Sequence, residues 1–102
     1  RMAGKEIIWS KQAKTEFHRI LQFYIERNQS ATYSLKLLNE TESLMKTLSK
    51  SQYIGRLTSN KKTRVIPMRE YLIFYEVNKE LIEIISFWDN RQDNKSLIYS
   101  NK

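Results

Sequence analysis

The sequence predicts an α+β domain in which a helical hairpin packs on one face of a small antiparallel sheet. Its 102 residues fit a single domain with one modest core. Two amphipathic segments follow each other near the N-terminus, and three β-rich runs follow each other near the C-terminus. The predicted element order is therefore β-α-α-β-β-β, with the helices covering one side of the sheet.

The first two elements are a short strand and a helix that follows it at once. The string KEIIW at residues 5–9 is β-branched and aromatic, which is typical of a strand. Ser10 is a suitable N-cap for a helix that runs to about Asn28. The apolar residues of this helix recur at helical spacing and predict one buried stripe: Ala13, Phe17, Ile20, Leu21 and Tyr24.

The second helix repeats this pattern after a polar interruption, RNQS. Ser30 is the predicted N-cap, and the helix is expected to run to about Ser49. Its stripe consists of Ala31, Leu35, Leu38, Met45 and Leu48, widened by Leu37 and Leu44. Two such stripes joined by a few polar residues predict an antiparallel helical hairpin.

The C-terminal half predicts a three-stranded meander. After a segment without a clear period (SKSQYIGRLTSNKK) come TRVIPM, EYLIFYEV and ELIEIISFW. The connections are so short that only antiparallel neighbours are possible. Pro67 cannot donate to a sheet ladder and marks an edge, a bulge or a strand end.

The middle run is apolar on both faces, as expected of a central strand. Its two faces are Tyr71, Ile73, Tyr75 and Val77 on one side, and Leu72, Phe74 and Glu76 on the other. Between hairpin and sheet we predict a core containing Phe17, Leu21, Leu38, Met45, Phe74 and Ile84.

Charge and composition limit the possible functions. Eighteen Lys and Arg against eleven Asp and Glu give a formal net charge of +7, which favours polyanions or an acidic protein as partner. Residues 61–75 hold four cations and one acid, whereas residues 76–90 hold four acids and one cation. The absence of cysteine excludes disulfides and cysteine-bound metal.

The sequence also predicts where the protein is found and how its ends behave. No apolar run approaches the roughly 20 residues of a membrane span, and no signal peptide opens the chain, so we expect a soluble cytoplasmic domain without membrane contact. Arg1 precedes Met2, which indicates a vector remnant. Residues 1–4 are expected to be a disordered start and residues 98–102 a tail of the single domain.

Searches for motifs with a defined chemistry find none. The chain has no Gly-rich phosphate loop, no His, Cys and carboxylate set at metal-ligand spacing, and no Ser–His–Asp arrangement on a glycine elbow. No cofactor and no metal is implied. The lone histidine, His18, is expected to be an exposed helix residue rather than a general base.

The string SFWDNRQD at residues 86–93 leaves the last strand and turns abruptly polar. A structural explanation places Trp88 in the core, makes a turn of Asp89 and Asn90, and pairs Arg91 with a carboxylate such as Asp93 or Glu70. A functional explanation presents Arg91 at the strand end for a phosphate or an acidic surface. We favour the structural explanation for residues 88–90, and both remain open for Arg91.

Over residues 5–97 the chain resembles the RelE/ParE-type toxins of bacterial type II toxin–antitoxin systems. The resemblance rests on the element order and on three strings: WSKQAKTEFHRILQFYIER, REYLIFYEV and IEIISFWDNRQDNKSL. It implies a toxin that is held inactive by an antitoxin encoded beside it, in a toxin–antitoxin hetero-oligomer. It also implies one of two targets, because RelE-like toxins cut mRNA in the ribosomal A site and ParE-like toxins poison DNA gyrase.

The choice between these targets depends on whether a ribonuclease site is present. Cleavage by a 2′-OH requires a base, an acid for the leaving oxygen, and cations for the transition-state charge. The resemblance implies that RelE-like enzymes build this site from Lys, Arg and Tyr on the sheet and tail. Here Thr63 and Val65 stand where strand cations are expected, and Leu72 stands where an arginine is expected. Tyr99 lies two residues beyond the expected phenol.

The poor match favours gyrase inhibition, with two alternatives. The first is a metal-independent, ribosome-dependent mRNA endoribonuclease, for which the candidate residues are Arg64, Arg69, Arg91, Tyr71 and Tyr75. The second is a basic nucleic-acid-binding module without toxicity. Whichever holds, the candidates for binding the antitoxin or a nucleic acid are Lys61, Lys62, Arg64, Arg69 and Arg91.

Overall fold

A computed structural model of the chain describes residues 4–91. Its elements in chain order are β1 (Glu6–Trp9), α1 (Lys11–Asn28), α2 (Thr32–Lys50), β2 (Arg56–Leu57), β3 (Thr63–Met68), β4 (Tyr71–Val77) and β5 (Leu81–Asp89). The predicted hairpin and meander are confirmed, and β2 is a short additional strand in the segment that showed no period. Residues 1–3 of the expected disordered start, the expected tail, Asp93 and Tyr99 lie outside the described residues.

The five strands form one open sheet in the order β1-β5-β4-β3-β2. The meander is antiparallel as predicted, and β2 pairs antiparallel with β3. However, β1 lies parallel to β5, with Glu6 opposite Leu81 and Trp9 opposite Ile84, so the sheet as a whole is mixed. Two helices connect β1 to the rest of the sheet, so no tight turn forces β1 to run antiparallel to its neighbour.

The predicted start of α1 is confirmed in detail. Ser10 is the N-cap, and its Oγ accepts a hydrogen bond from the Ala13 N–H at 3.0 Å. The second helix differs, because Ala31 and not Ser30 occupies the cap position. Ser30 still contributes, since its Oγ accepts from the Thr32 N–H at 3.1 Å.

The core lies between the hairpin and the sheet. An aromatic stack forms its centre, with ring centroids 5.3 Å apart for Trp9 and Phe17 and 4.6 Å apart for Phe17 and Phe87. The buried members of the core cluster are Ala13, Phe17, Leu37, Leu48, Ile66, Tyr71, Ile73, Tyr75, Ile82, Ile84 and Phe87. Leu21, Leu38 and Met45 pack against this cluster and are partly buried, as the sequence predicts.

Two predictions about the core were wrong. Phe74 is buried but lies outside the cluster, because it alternates with Ile73 and Tyr75 along β4 and therefore belongs to the other face of the sheet. Leu35 and Ala31, predicted in the buried stripe of the second helix, are both exposed, Leu35 to 57%.

A β-bulge explains a third difference, at Trp88. Tyr75 pairs with Ile84 while Phe74 pairs with Ser86, so β5 contains one extra residue at this point. The bulge shifts the alternation, and Phe87 instead of Trp88 enters the helix-side core. Trp88 is only partly buried and pairs with Leu72 on the opposite face.

Candidate functional site

The outer edge of the end of β5 is bordered by α1 and not by a strand, while its inner edge stays paired with β4 as far as Asp89. β1 pairs with β5 only as far as Ile84. Beyond that point, the Ser10 Oγ donates to the Ile85 carbonyl at 3.1 Å. The Glu16 carboxylate accepts from the Ser86 hydroxyl at 2.8 Å and from the Phe87 N–H at 2.9 Å. These contacts satisfy backbone groups that an open edge would leave unpaired, and they fix α1 beside the strand end.

A cleft opens where the C-terminal half of α1 passes the end of β5. We call it the α1/β5 cleft; its volume is about 470 Å³. Its lining combines apolar and aromatic side chains with three arginines and two carboxylates: Glu16, Arg19, Ile20, Phe23, Tyr24, Arg27, Phe87, Trp88, Asp89 and Arg91.

Arg91 is fixed at the mouth of this cleft by three partners. Its Nε and Nη2 donate to the two oxygens of Asp89 at 3.0 and 2.8 Å, and Nη2 also donates to the Tyr24 hydroxyl at 2.8 Å. The Glu70 carboxylate lies 3.5 Å from Nη1. The hydrogen bonds from Arg91 hold the pKa of Asp89 below its usual value. The predicted partner Glu70 is present. The predicted turn begins one residue later than expected, because Asp89 is still paired in β5 and the turn residues are Asn90 and Arg91. The pairing of Arg91 with Asp89 was not predicted.

Next to Arg91 lies a group of three tyrosines that we call the tyrosine cluster: Tyr24, Tyr33 and Tyr71. Tyr24 and Tyr33 have ring centroids 4.7 Å apart, and the hydroxyls of Tyr33 and Tyr71 are 3.4 Å apart. Tyr71 has no exposed surface. Burial, reinforced by the contact with Tyr33, raises the pKa of Tyr71, so its phenol stays neutral and is a poor proton acceptor.

Arg69 lies on the other side of the tyrosine cluster. Its guanidinium sits 5.7 Å from the Tyr33 ring centroid and makes two hydrogen bonds to the Glu40 carboxylate, at 2.5 and 2.6 Å. These hydrogen bonds lower the pKa of Glu40. Arg69 occupies the β3–β4 turn with a φ of 57°, a conformation that non-glycine residues adopt infrequently. The bidentate pair with Glu40 anchors this turn to α2.

The structure brings Arg69 and Arg91 together around one cluster but places Arg64 elsewhere. Arg64 pairs with Tyr75 across the ladder, roughly 16 Å of strand away from Arg69. Its Nη1 donates to the Gly55 carbonyl at 2.7 Å, and its guanidinium lies 4.9 Å from the Tyr53 ring centroid. The candidates from sequence therefore divide between two ends of the meander.

The remaining candidates occupy separate positions. Lys61 and Lys62 are exposed in the turn before β3, with Lys62 Nζ 3.8 Å from Glu76. Tyr75 is fully buried. His18 is exposed on α1, as predicted. Among residues 4–91, no group of His, Cys, Asp or Glu is arranged to hold a metal ion.

Sequence reasoning missed the contribution of α1 to the cleft. Arg19, Phe23 and Arg27 line it, whereas the cations predicted from the sequence all lie on or beside the meander. The spacing of these three residues, i, i+4 and i+8, was the available signal, because it places them on one face of a helix.

The chain is similar to known toxins in sequence pattern and in fold. The family described as "ParE toxin of type II toxin-antitoxin system, parDE" matches residues 7–94. A solved structure, titled "Chromosomal ParDE TA system from P. aeruginosa", superposes with a TM-score of 0.71 at 17% sequence identity, covering 83% of this chain and 95% of that chain.

A search of curated protein sequences found no match. No helix within residues 4–91 is long and apolar enough to cross a membrane. Since the family pattern extends over most of the sequence and the fold agrees with it, the chain belongs to the ParE toxin family of type II toxin–antitoxin systems.

Proposed function

We propose that this protein inhibits bacterial growth by acting on DNA gyrase and that it is not a ribosome-dependent ribonuclease. The observation that carries the proposal is the composition of the sheet face opposite the hairpin. Thr63, Val65 and Leu72 lie on that face, at the positions where a ribonuclease of this fold is expected to carry cations. A missing transition-state cation of this kind commonly lowers a rate by about 10²- to 10³-fold.

The tyrosines on β4 support the same conclusion. A ribonuclease in which a tyrosine moves a proton needs a phenol that reaches the substrate. Tyr71 and Tyr75 have no exposed surface, and both point their hydroxyls at protein groups. Burial raises the pKa of Tyr75 as well as that of Tyr71, which favours the neutral phenol in both cases.

The arginines also lack the arrangement that RNA cleavage requires. Arg64 is remote from Arg69 and Arg91, and the latter two are engaged in bidentate pairs with carboxylates. To stabilise a phosphorane-like charge together, the three arginines would have to converge on one point. Arg69 and Arg91 would have to leave their carboxylates, and Arg64 lies near the opposite end of β3. A protein target with its own acidic surface imposes no such convergence.

A cognate antitoxin is the proposed partner that holds the toxin inactive. The solved relative is a ParDE toxin–antitoxin system, which supports this assignment. The formal charge of +7 favours an acidic antitoxin segment, with exposed Lys61, Lys62, Arg69 and Arg91 and half-buried Arg64 as candidate contacts. Because rim charges act mainly on association, the on-rate is expected to fall between low and physiological salt while the off-rate changes little.

The test is to express the full chain alone in bacteria and to assay the purified protein on both targets. We expect growth arrest with a DNA-damage response, and inhibition of supercoiling by purified gyrase. We expect no cleavage of mRNA in the ribosomal A site.

Two outcomes would overturn the proposal. The first is A-site cleavage by the wild type that disappears in a folded Arg64→Ala, Arg69→Ala, Arg91→Ala triple variant, since it would identify a ribonuclease. The second is the absence of growth arrest, which would favour a nucleic-acid-binding module without toxicity. Circular dichroism of the triple variant separates loss of activity from loss of fold.

A further inference from the structure

We infer that the α1/β5 cleft is the docking site for an acidic segment of the antitoxin, and that Arg19, Phe23 and Arg27 recognise this segment. The inference rests on the proposed function, because the antitoxin supplies the segment. The sequence predicted recognition by cations on or beside the meander. The inference assigns recognition to one face of α1 instead.

The three residues form one continuous strip along α1. They are spaced four residues apart, so they lie on the same side of the helix. Eight residues of helix separate the two arginines by about 12 Å along the axis. The strip therefore presents a cation, an aromatic ring and a second cation in a row, at the mouth of a cleft.

The side chains of Arg19, Phe23 and Arg27 are exposed where they line the cleft. Within residues 4–91, neither Arg19 nor Arg27 takes part in an ion pair, in contrast to Arg69 and Arg91. Phe23 is 51% exposed, and the Arg27 guanidinium lies 5.9 Å from its ring centroid. An exposed aromatic ring between two cations that form no ion pair within the described residues is uncommon on an isolated domain and is typical of interfaces.

The opposite wall of the cleft is rigidly held. Arg91 is fixed by Asp89 and by the Tyr24 hydroxyl, and the Phe87 N–H is tied to Glu16 on α1. A wall that is already ordered loses little conformational entropy when a ligand binds. The cleft therefore has a preformed apolar floor and a cationic rim.

This geometry specifies the chemistry of the occupant. Two carboxylates about 12 Å apart with an apolar anchor midway would match the strip. A partner helix supplies them at positions i, i+4 and i+8, and an extended segment supplies them at positions i, i+2 and i+4.

A protein segment fits better than a single-stranded nucleic acid. Grooves that bind single-stranded nucleic acid combine cations that follow the phosphate backbone with aromatic rings on which the bases stack. The Glu16 and Asp89 carboxylates line the same cleft and would repel a continuous row of phosphates, whereas a protein segment can place its carboxylates at Arg19 and Arg27 alone.

The experiment measures the Kd of the full chain for its antitoxin, the protein encoded beside it. Two variants remove the strip: an Arg19→Glu, Arg27→Glu double variant and a Phe23→Ala variant. A Lys11→Glu, Lys79→Glu double variant is the matched control, because it changes the net charge equally at exposed positions outside the cleft. We expect both strip variants to raise Kd by at least about 10-fold and the control by much less.

The possible results separate the inference from the proposed function. Unchanged Kd values for folded strip variants, with the wild type bound and growth arrest intact, would overturn the inference alone. A wild type that neither binds the antitoxin nor arrests growth would overturn the proposed function and this inference with it. A fluorescein-labelled oligothymidine that binds the wild type and is lost from the strip variants, while the antitoxin still binds them, would assign the cleft to nucleic acid and also overturn the inference.

Discussion

The two ends of β4 carry the same residue type in different roles. Tyr71 and Tyr75 both face the hairpin and have no exposed surface. The Tyr75 hydroxyl accepts from the Gly55 N–H at 2.9 Å and donates to the Gln52 carbonyl at 2.8 Å. The Tyr71 hydroxyl instead meets the Tyr33 hydroxyl at the longer distance of 3.4 Å. The Tyr75 hydroxyl therefore bonds to backbone groups, whereas the Tyr71 hydroxyl contacts another side chain.

The arginines follow the same division. At the Tyr75 end, Arg64 donates to backbone carbonyls of the segment before β2. At the Tyr71 end, Arg69 and Arg91 pair with side-chain carboxylates that remain partly exposed. The end of β4 that borders the α1/β5 cleft is thus held by pairs between side chains, and the other end by bonds from side chains to the backbone.

The largest expected effect is at the core beneath the Tyr71 end. Phe87 contacts the rings of Trp9, Phe17 and Tyr71, with centroids between 4.6 and 6.1 Å away. Phe87→Ala should lower the free energy of unfolding by about 3–5 kcal/mol, measured by urea denaturation. Phe87→Leu is the control and should cost less, because it retains most of the apolar volume. An unchanged denaturation midpoint for Phe87→Ala would show that this stack does not organise the core.

The next largest effect on the free energy of unfolding is expected when the hydroxyls of Tyr75 and Tyr71 are removed one at a time. Tyr75→Phe leaves a buried N–H and a carbonyl without their partner and should cost about 1–3 kcal/mol in the free energy of unfolding. Tyr71→Phe removes the long contact with the Tyr33 hydroxyl and leaves no buried backbone group without a partner, so it should cost less than about 1 kcal/mol. Equal costs in the same denaturation experiment would remove the distinction between the two ends.

The smallest effect concerns the pair of Asp89 with Arg91, and it depends on pH. The pKa of Asp89 is lowered in the folded protein by the hydrogen bonds from Arg91, so its contribution is present above the unfolded value of about 3.9 and is lost as the pH falls through the folded value. Asp89→Asn should therefore cost up to about 1 kcal/mol at pH 7 and little in strong acid.

Thermal denaturation of the wild type and Asp89→Asn across this pH range measures the difference. Glu80→Gln is a suitable control, because Glu80 forms no ion pair within the described residues. A cost for Asp89→Asn that persisted unchanged into strong acid would contradict a contribution from the ionised carboxylate.

Local patterns in the sequence were sufficient to predict the helices, their order and the meander. The stripe of α1 and the Ser10 cap depend on residues three or four positions apart, and the connections of the meander depend on their short length. Such features are decided by the chain over one or two turns. The family resemblance depended on the same local strings, which is why it was confirmed over residues 7–94.

Only the tertiary structure decided which faces and partners these elements use. One extra residue in β5 moved Phe87 into the core and Trp88 out of it, and a strict two-residue alternation cannot reveal such a shift. The pairing of Arg69 with Glu40 joins residues 29 positions apart, and that of Arg91 with Tyr24 joins residues 67 apart. The cleft is likewise formed by α1 and β5, which are distant in the chain. Local propensity fixes the elements, but a site made of their long-range contacts exists only once they have packed.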